Sequence, residues 1–320
     1  MNKSGIALAG TILVDKLNEI SAYPNCGELT KILSIKNSLG GCVPNTGIDL
    51  KKLSPGLDVY AIGKVGRDEE GEFSLKTLKD NGLDVSGIVV DNGLKTSFTD
   101  VMSIVGGQRT FFTFPGSGAD FGYEDIDFDN LDVKMLHLGY FLLLDKVDNG
   151  DGFKILKKAS SLGIKTSIDL VTENSDRYKV ILPCLPYVDN LIINEVESGK
   201  LAGIEPTDDN LVDIAKALIG LGVKERVIIH TPKMGVCYHN GKATILNSYD
   251  LPKDFIKGTT GAGDAFCAGA LLAIYNDLSD EEILEYATYS STMSLTSVDA
   301  TSAIKTIEES KEFCKNFIRR

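Results

Sequence analysis

Short apolar runs recur along the chain at residues 6–9, 59–62, 135–138, 166–169, 190–193 and 226–230. Several are rich in Val and Ile, and most end in Gly or a polar residue, which predicts buried strands. Between them, helical spacing of apolar positions predicts helices over 45–53, 69–81, 148–162, 208–221 and 280–296. Strand and helix therefore alternate through most of the chain, and alternation of this kind predicts a mostly parallel central sheet with helices on both faces. Two stretches break the rhythm, about 13–39 and 96–114. In the second, Phe98-Thr99-Asp100-Val101-Met102-Ser103-Ile104 alternates, and Gly106-Gly107 predicts a hairpin before Arg109-Thr110-Phe111-Phe112. Both stretches predict extra strands standing off the main sheet. The tail after Thr301 predicts a last amphipathic helix, and no internal repeat divides residues 1–320, so one α/β domain is expected.

Composition narrows the partners. A chain of 320 residues can bury a large core. A formal net charge of −12 repels nucleic acid and anionic membrane alike and points to a small-molecule partner. No basic segment precedes an apolar run at the start, and no run of about 18 apolar residues occurs, so secretion and membrane spanning are not expected and a cytoplasmic protein is. Six cysteines lie scattered without CxxC spacing and three histidines without zinc spacing, which predicts reduced thiols and structural imidazoles.

The chemistry concentrates in residues 257–273, KGTTGAGDAFCAGALLA. Gly258, Gly261 and Gly263 permit backbone conformations closed to other residues and close approach of a ligand. A helix reading from Ala265 places the amides of Gly261, Ala262 and Gly263 at its positive end, where an anion binds. Asp264 in the first turn is placed to take a proton from a hydroxyl beside that anion. Far upstream, Asp15 follows the strand-like Thr11-Ile12-Leu13-Val14, and Gly40-Gly41-Cys42-Val43-Pro44-Asn45 runs into a helix with Pro44 in its first turn. A carboxylate and an amide are side chains that can hold vicinal hydroxyls through several oriented hydrogen bonds. In the middle, Asn194 and Glu197 are spaced i,i+3 after a strand, which puts two oxygen-bearing side chains on one face.

The run Thr259-Thr260-Gly261-Ala262-Gly263-Asp264 resembles the second signature of the ribokinase-like sugar kinases, the PfkB family. Asp15 with Gly40-Gly41 and Asn45 is similar to that family's sugar-binding end, and Asn194-Glu195-Val196-Glu197 to its Asn-x-x-Glu motif. The resemblance spans nearly the whole chain, with the motifs in family order. It implies a ribokinase-like fold of Rossmann-type layers with a small β-strand lid, and ATP as phosphoryl donor with Mg²⁺. It assigns Asp264 as catalytic base and Gly261, Ala262 and Gly263 as the anion hole. Asp15, Gly40, Gly41 and Asn45 become sugar contacts, with Arg109 in the lid covering the sugar. Asn194 and Glu197 become the magnesium and phosphate motif, and Thr260, Lys233 and Gly235 join Asn194 on the nucleotide side. The loop 228–235 departs from the family pattern, because aligning on Gly235 puts Pro232 at the first glycine position. Gly258 stands where the family usually has an Asp that helps bind a monovalent cation, which leaves potassium open. Uncharged Cys42, Val43 and Pro44 favour a neutral sugar such as ribose or a ketohexose. A nucleoside kinase of the same fold, with Phe111 and Phe112 stacking on a base, and a sugar sensor without turnover are the rival readings. The lid strands are expected to pair two copies into a homodimer. A nicotinamide-dependent dehydrogenase is excluded, since Gly5-Ile6-Ala7-Leu8-Ala9-Gly10 lacks the dinucleotide spacing.

Overall fold

The computed structural model describes residues 3–104 and 107–320. In chain order its strands begin with β1 (Ile6–Gly10), β2 (Leu13–Ile20), β3 (Ile32–Gly40), β4 (Val59–Gly66), β5 (Asp84–Asp91), β6 (Phe98–Ser103) and β7 (Arg109–Phe114). They continue with β8 (Met135–Phe141), β9 (Lys165–Leu170), β10 (Asn190–Asn194), β11 (Arg226–His230), β12 (Met234–His239) and β13 (Lys242–Asn247). Nine of them form the main sheet in the order β13-β12-β11-β10-β9-β8-β1-β4-β5. All neighbours in it are parallel except the hairpin β11–β12–β13. The expected strands are all present. β5, β12 and β13 are additional to them.

Period-two alternation puts successive side chains of each strand into opposite layers. In β1, Ile6 and Leu8 pack with helices Cys42–Leu53 and Ala262–Tyr275, while Ala7 and Ala9 face the layer that contains Ile155 and Leu156 of helix Gly152–Ser161. Burial on both faces is why these strands read as continuous apolar runs rather than as alternating ones. The predicted helices are found within a few residues of their expected bounds, and the last one runs Ile307–Cys314 behind an N-terminal Thr306 cap. No helix of the described residues is long and apolar enough to cross a membrane.

The two stretches that broke the pattern form a separate four-stranded sheet in the order β3-β2-β6-β7. β2 runs antiparallel to β3 and parallel to β6, and β6 is antiparallel to β7. Of the glycine pair expected to turn between β6 and β7, Gly106 lies outside the described residues. Directly paired residues share a sheet face. Asp15 therefore lies on the face that also holds Thr99, Val101 and Ser103, and with them Phe111 and Arg109. Lys16, Asp100 and Phe112 lie on the opposite one.

Candidate active site

Asp264 occupies the first turn of helix Ala262–Tyr275, which begins three residues earlier than the expected Ala265 because Gly261 caps it in the left-handed region, at φ 78°. A Cβ at Gly261 would meet Ala300 Cβ at 2.4 Å, so both the conformation and the space demand glycine. The Gly261 carbonyl accepts from the Ala265 amide at 2.8 Å, and the Ala262 amide donates to the Thr259 carbonyl at 3.2 Å. Ala262 is thus held in the turn in this state. The Gly263 amide, in the first turn, has no acceptor within the helix; Gly263 is exposed, and a Cβ there would make ordinary contact with His230 Cε1 at 3.7 Å. Thr260 is exposed just ahead of the turn.

The carboxylate itself is buried. Its Oδ2 accepts from Asn45 Nδ2 at 3.0 Å and from the Tyr140 hydroxyl at 3.0 Å. Burial pushes the Asp264 carboxyl up to about 7, the charge of Asp169 adds to the rise, and the two hydrogen bonds oppose it. Burial wins over two donors, and the result is a base poised near neutrality.

Asn45 reaches Asp264 from helix Cys42–Leu53, whose N-cap is Gly41 at φ 97°. A Cβ on Gly41 would meet the Thr11 carbonyl oxygen at 2.4 Å, and one on Gly40 would meet Asp15 Oδ2 at 2.4 Å. The double glycine therefore lets the Asp15 carboxylate lie against the backbone that leads into Asn45. Partial burial raises the Asp15 carboxyl to about 6. Asn45 Oδ1 is buried with no partner among the described residues. Asp15, Gly40, Gly41, Asn45 and Asp264 thus form one connected wall. Arg109 is exposed at the start of β7 on the lid face shared with Asp15; of the two adjacent phenylalanines only Phe111 shares that face.

Two further residues build the base's surroundings, and sequence reasoning missed both. Tyr140 sits at φ 61°, a strained backbone position for a tyrosine, and its amide donates to Asp169 Oδ1 at 2.5 Å. That strain is the observation that marks Tyr140 as a positioning group for Asp264. Asp169, at the end of β9, lies in the interior of the same cleft. Each stands at the carboxyl end of a strand, which is where ligands bind in open α/β sheets, and that place along the chain was their only signal in the sequence.

Asn194 and Glu197 are brought to the cleft as a reciprocal cap of helix Glu195–Ala202. Asn194 Oδ1 accepts from the Glu197 amide at 2.9 Å, and Glu197 Oε2 accepts from the Asn194 amide at 3.0 Å. Glu197 Oε1 also accepts from Thr172 at 2.8 Å, and burial raises this carboxyl to about 7. A cleft of about 280 Å³ joins Tyr140, Asp169, Asn194, Glu197, Gly263 and Asp264. Among the described residues, no Lys or Arg lines it. A second cavity of about 380 Å³ shares Asn194, His230 and Gly263 with the first, and its other walls include Tyr249, Ile256, Phe266 and Leu295. His230 packs against Phe266 with ring centroids 4.7 Å apart and the rings tilted by 34°, and burial lowers its imidazole to about 4, so this side chain is neutral. Two compartments, one carrying three carboxyl groups and one mainly apolar with Glu195 and Arg320 also in its lining, therefore share Asn194, His230 and Gly263.

Lys233 and Gly235 line neither cavity. Lys233 is ion-paired with Asp208 at 2.5 Å, and Gly235 packs beneath Leu284 and Phe266 in β12. A Cβ at Gly258 would meet the Ser297 carbonyl oxygen at 2.9 Å, so that loop backbone is closed to a larger residue without movement.

The chain matches a family model described as pfkB family carbohydrate kinase over residues 11–307. It is 30% identical over 291 residues to probable fructokinase-6, chloroplastic, of Arabidopsis thaliana, covering 87% of this chain and 73% of that protein. It is 25% identical over 290 residues to ribokinase of the same plant, covering 88% of this chain and 73% of that one. The fold is similar to the structure of Arabidopsis thaliana ribokinase complexed with ribose and ATP, with a TM-score of 0.85 at 21% identity over 98% of this chain and 99% of that one.

Proposed function

The chain belongs to the pfkB family of carbohydrate kinases, and we propose that it moves the γ-phosphoryl group of ATP onto a hydroxyl of a neutral, unphosphorylated sugar of the fructose or ribose kind. One observation supports this reading above the others. Asp264, held by Asn45 and Tyr140 and raised to about 7, stands beside an open helix-terminal amide at the junction of an acidic and an apolar cavity.

Each compartment has its part. The apolar cavity takes the adenine end of ATP, and the terminal phosphates lie at the Gly261–Gly263 turn, where the helix end favours negative charge. The acceptor lies against Asp15, Gly40 and Gly41, and one of its hydroxyls can donate to the unpartnered Asn45 Oδ1. Asp264 accepts the proton of the reacting hydroxyl. That oxygen bonds to the γ-phosphorus while the bond from phosphorus to the β,γ-bridging oxygen breaks, and ADP leaves with the electron pair. Positioning and preorganised charge supply most of the acceleration.

An acidic cleft without Lys or Arg can admit polyphosphate only with a cation. The oxygen set of Asn194 and Glu197 fits Mg²⁺. Both Glu197 oxygens already accept hydrogen bonds within the cap, which suits contact through metal-bound water. Bound there, magnesium would neutralise charge on the phosphates. A pure sugar sensor has no use for a buried, near-neutral Asp264, since the carboxylate costs stability and contributes only to proton transfer.

The lid has a second role. On the face turned away from Asp15, Ile35 is 67% exposed, Phe112 59% and Phe114 41%, an apolar surface that a second copy of the lid would cover.

An ADP-release screen with MgATP over neutral ketoses, aldoses, sugar phosphates and nucleosides tests the reading. Turnover with fructose or ribose is expected. No turnover with any neutral sugar, or preference for a nucleoside, overturns it.

A further inference from the structure

Beneath Asp264 three side chains converge that the phosphoryl-transfer reading does not use as a set. They are His137 of β8, Asp169 of β9 and Cys267, one turn along the helix from Asp264. His137 Nε2 lies 3.6 Å from Asp169 Oδ2 and 3.7 Å from Cys267 Sγ, and all three atoms lie within 4.8 Å of one another. The three residues are buried. We propose that His137, Asp169 and Cys267 form a binding site for a thiophilic divalent cation, Zn²⁺ in the first place, separate from the Asn194–Glu197 magnesium motif.

The spacing favours this. A tetrahedral zinc with bonds of about 2.3 Å to sulfur and about 2.0–2.2 Å to nitrogen and oxygen holds S and N about 3.6 Å apart and N and O about 3.4 Å apart. The two distances from His137 need a shift of only about a few tenths of an ångström, and Asp169 and Cys267, within 4.8 Å of each other, close by up to about 1 Å. Two of the three ligands are also braced from behind, as metal-bound groups are. His137 Nδ1 lies 2.9 Å from Ser167 Oγ, and with its proton given to Ser167 the Nε2 lone pair faces Cys267 and Asp169. Asp169 Oδ1 is engaged by the Tyr140 amide, which leaves Oδ2 for the ion.

Access and selectivity follow from the same geometry. Asp169 and Cys267 both line the 280 Å³ cleft, so an ion enters from there and its fourth position stays open to water. Nitrogen and sulfur donors favour zinc or cobalt over magnesium, whose ligands are oxygens. Binding deprotonates the Cys267 thiol and releases that proton to solvent.

The test needs neither nucleotide nor sugar, so its failure leaves the kinase reading standing. The full-length protein is titrated with Co²⁺ and followed by absorption. One ion per chain is expected, with a thiolate-to-cobalt charge-transfer band and the intense ligand-field bands of a tetrahedral site. Zn²⁺ should displace the cobalt and excess Mg²⁺ should not. The charge-transfer band should vanish in Cys267→Ser, which keeps the side-chain volume, and in Cys267→Ala. Ser167→Ala should weaken binding by about 10–100-fold, the usual effect of losing an outer-shell partner. Circular dichroism confirms that each variant is folded. Absence of the band in the wild-type protein, its survival in both Cys267 variants, or displacement by Mg²⁺ overturns the proposal.

Discussion

Asn45 Nδ2 lies 3.0 Å from Asp264 Oδ2 across 219 positions of sequence. Each residue stands in the first turn of its own helix, and each helix follows a glycine with positive φ, Gly41 at 97° and Gly261 at 78°. Two helix N-termini therefore converge on one carboxylate, and both favour its charged form. The helices pack in one apolar layer through Cys42, Val43 and Leu50 on one and Ala265, Ala268 and Leu272 on the other. Asn45 and the base are in this way packed in one layer, while Asp15 and Gly40 reach the same site from the lid strands β2 and β3.

Removing the base while keeping its shape should separate chemistry from binding. Asp264→Asn is expected to lower kcat by two orders of magnitude or more, the scale of general-base loss, with dissociation constants for sugar and MgATP changed by less than about threefold. Steady-state kinetics and calorimetric titration check it; unchanged turnover would remove Asp264 from the mechanism.

The Tyr140 hydroxyl stabilises ionised Asp264, so its loss should move the base and leave it in place. In the free enzyme Asp264 titrates near 7, and kcat/KM should fall as pH drops through that value. In Tyr140→Phe the carboxyl rises further, by about 1–2 pH units for one hydrogen bond to a charged group. Activity should then be low at pH 7 and largely recovered at pH 9. A variant whose acid limb coincides with that of the wild type shows that Tyr140 does not tune the base.

Much of this was legible in the sequence, for identifiable reasons. Strands buried on both faces write themselves as apolar runs, and 6–9, 135–138 and 190–193 all lie within strands of the parallel sheet. β12 and β13 were not read, although Asn240-Gly241 between them, both at positive φ, is a strong signal for a two-residue hairpin. Asp15, Asn45, Glu197 and Asp264 were picked out through the resemblance to the family's motifs, and the fold brings Asn45 within hydrogen-bond distance of Asp264. Tyr140 and Asp169 were not, because a lone Tyr or Asp after an apolar run looks the same whether or not it faces a base. Lys233 was read from its neighbours in the chain, yet its partner is Asp208, which only the fold supplies.

A carboxyl held protonated by burial also shapes stability. Asp264 is raised from an ordinary 3.8 to about 7, so the folded state holds a proton that the unfolded chain releases at lower pH. Its contribution is fully favourable below about pH 4 and is lost as pH rises toward 7. Asp264→Asn escapes that loss. Urea unfolding without ligands should find the variant more stable than wild type above pH 7, by up to about 4 kcal/mol, with the gap closing near pH 4. An equal gap at both pH values would mean that the carboxyl is not raised.

The capping pair Asn194 and Glu197 is expected to serve the nucleotide rather than the sugar. Glu197→Gln keeps the side-chain shape but removes the charge that a magnesium-bound water would face. KM for MgATP should rise about tenfold or more while KM for the sugar stays within twofold. Added Mg²⁺ should recover part of the loss, and a rise confined to the sugar would place Glu197 on the other side of the reaction.

The lid sheet makes the last prediction, because its two faces differ. Strand register sets Arg109 and Phe111 on the face with Asp15, and Ile35 and Phe112 on the face turned away. If that outer face pairs two copies, Phe112→Glu and Ile35→Glu should each convert a dimer into a monomer by light scattering, since a carboxylate there would be desolvated without a partner. Arg109→Ala should leave the dimer intact and raise KM for the sugar. A wild-type protein that is monomeric at all accessible concentrations removes the dimer. A dimer that survives both charge substitutions moves the contact to another surface. The register argument for Arg109 stands in either case, because it depends on the pairing of Ser103 with Arg109 and of Glu19 with Ser103, and not on a second copy.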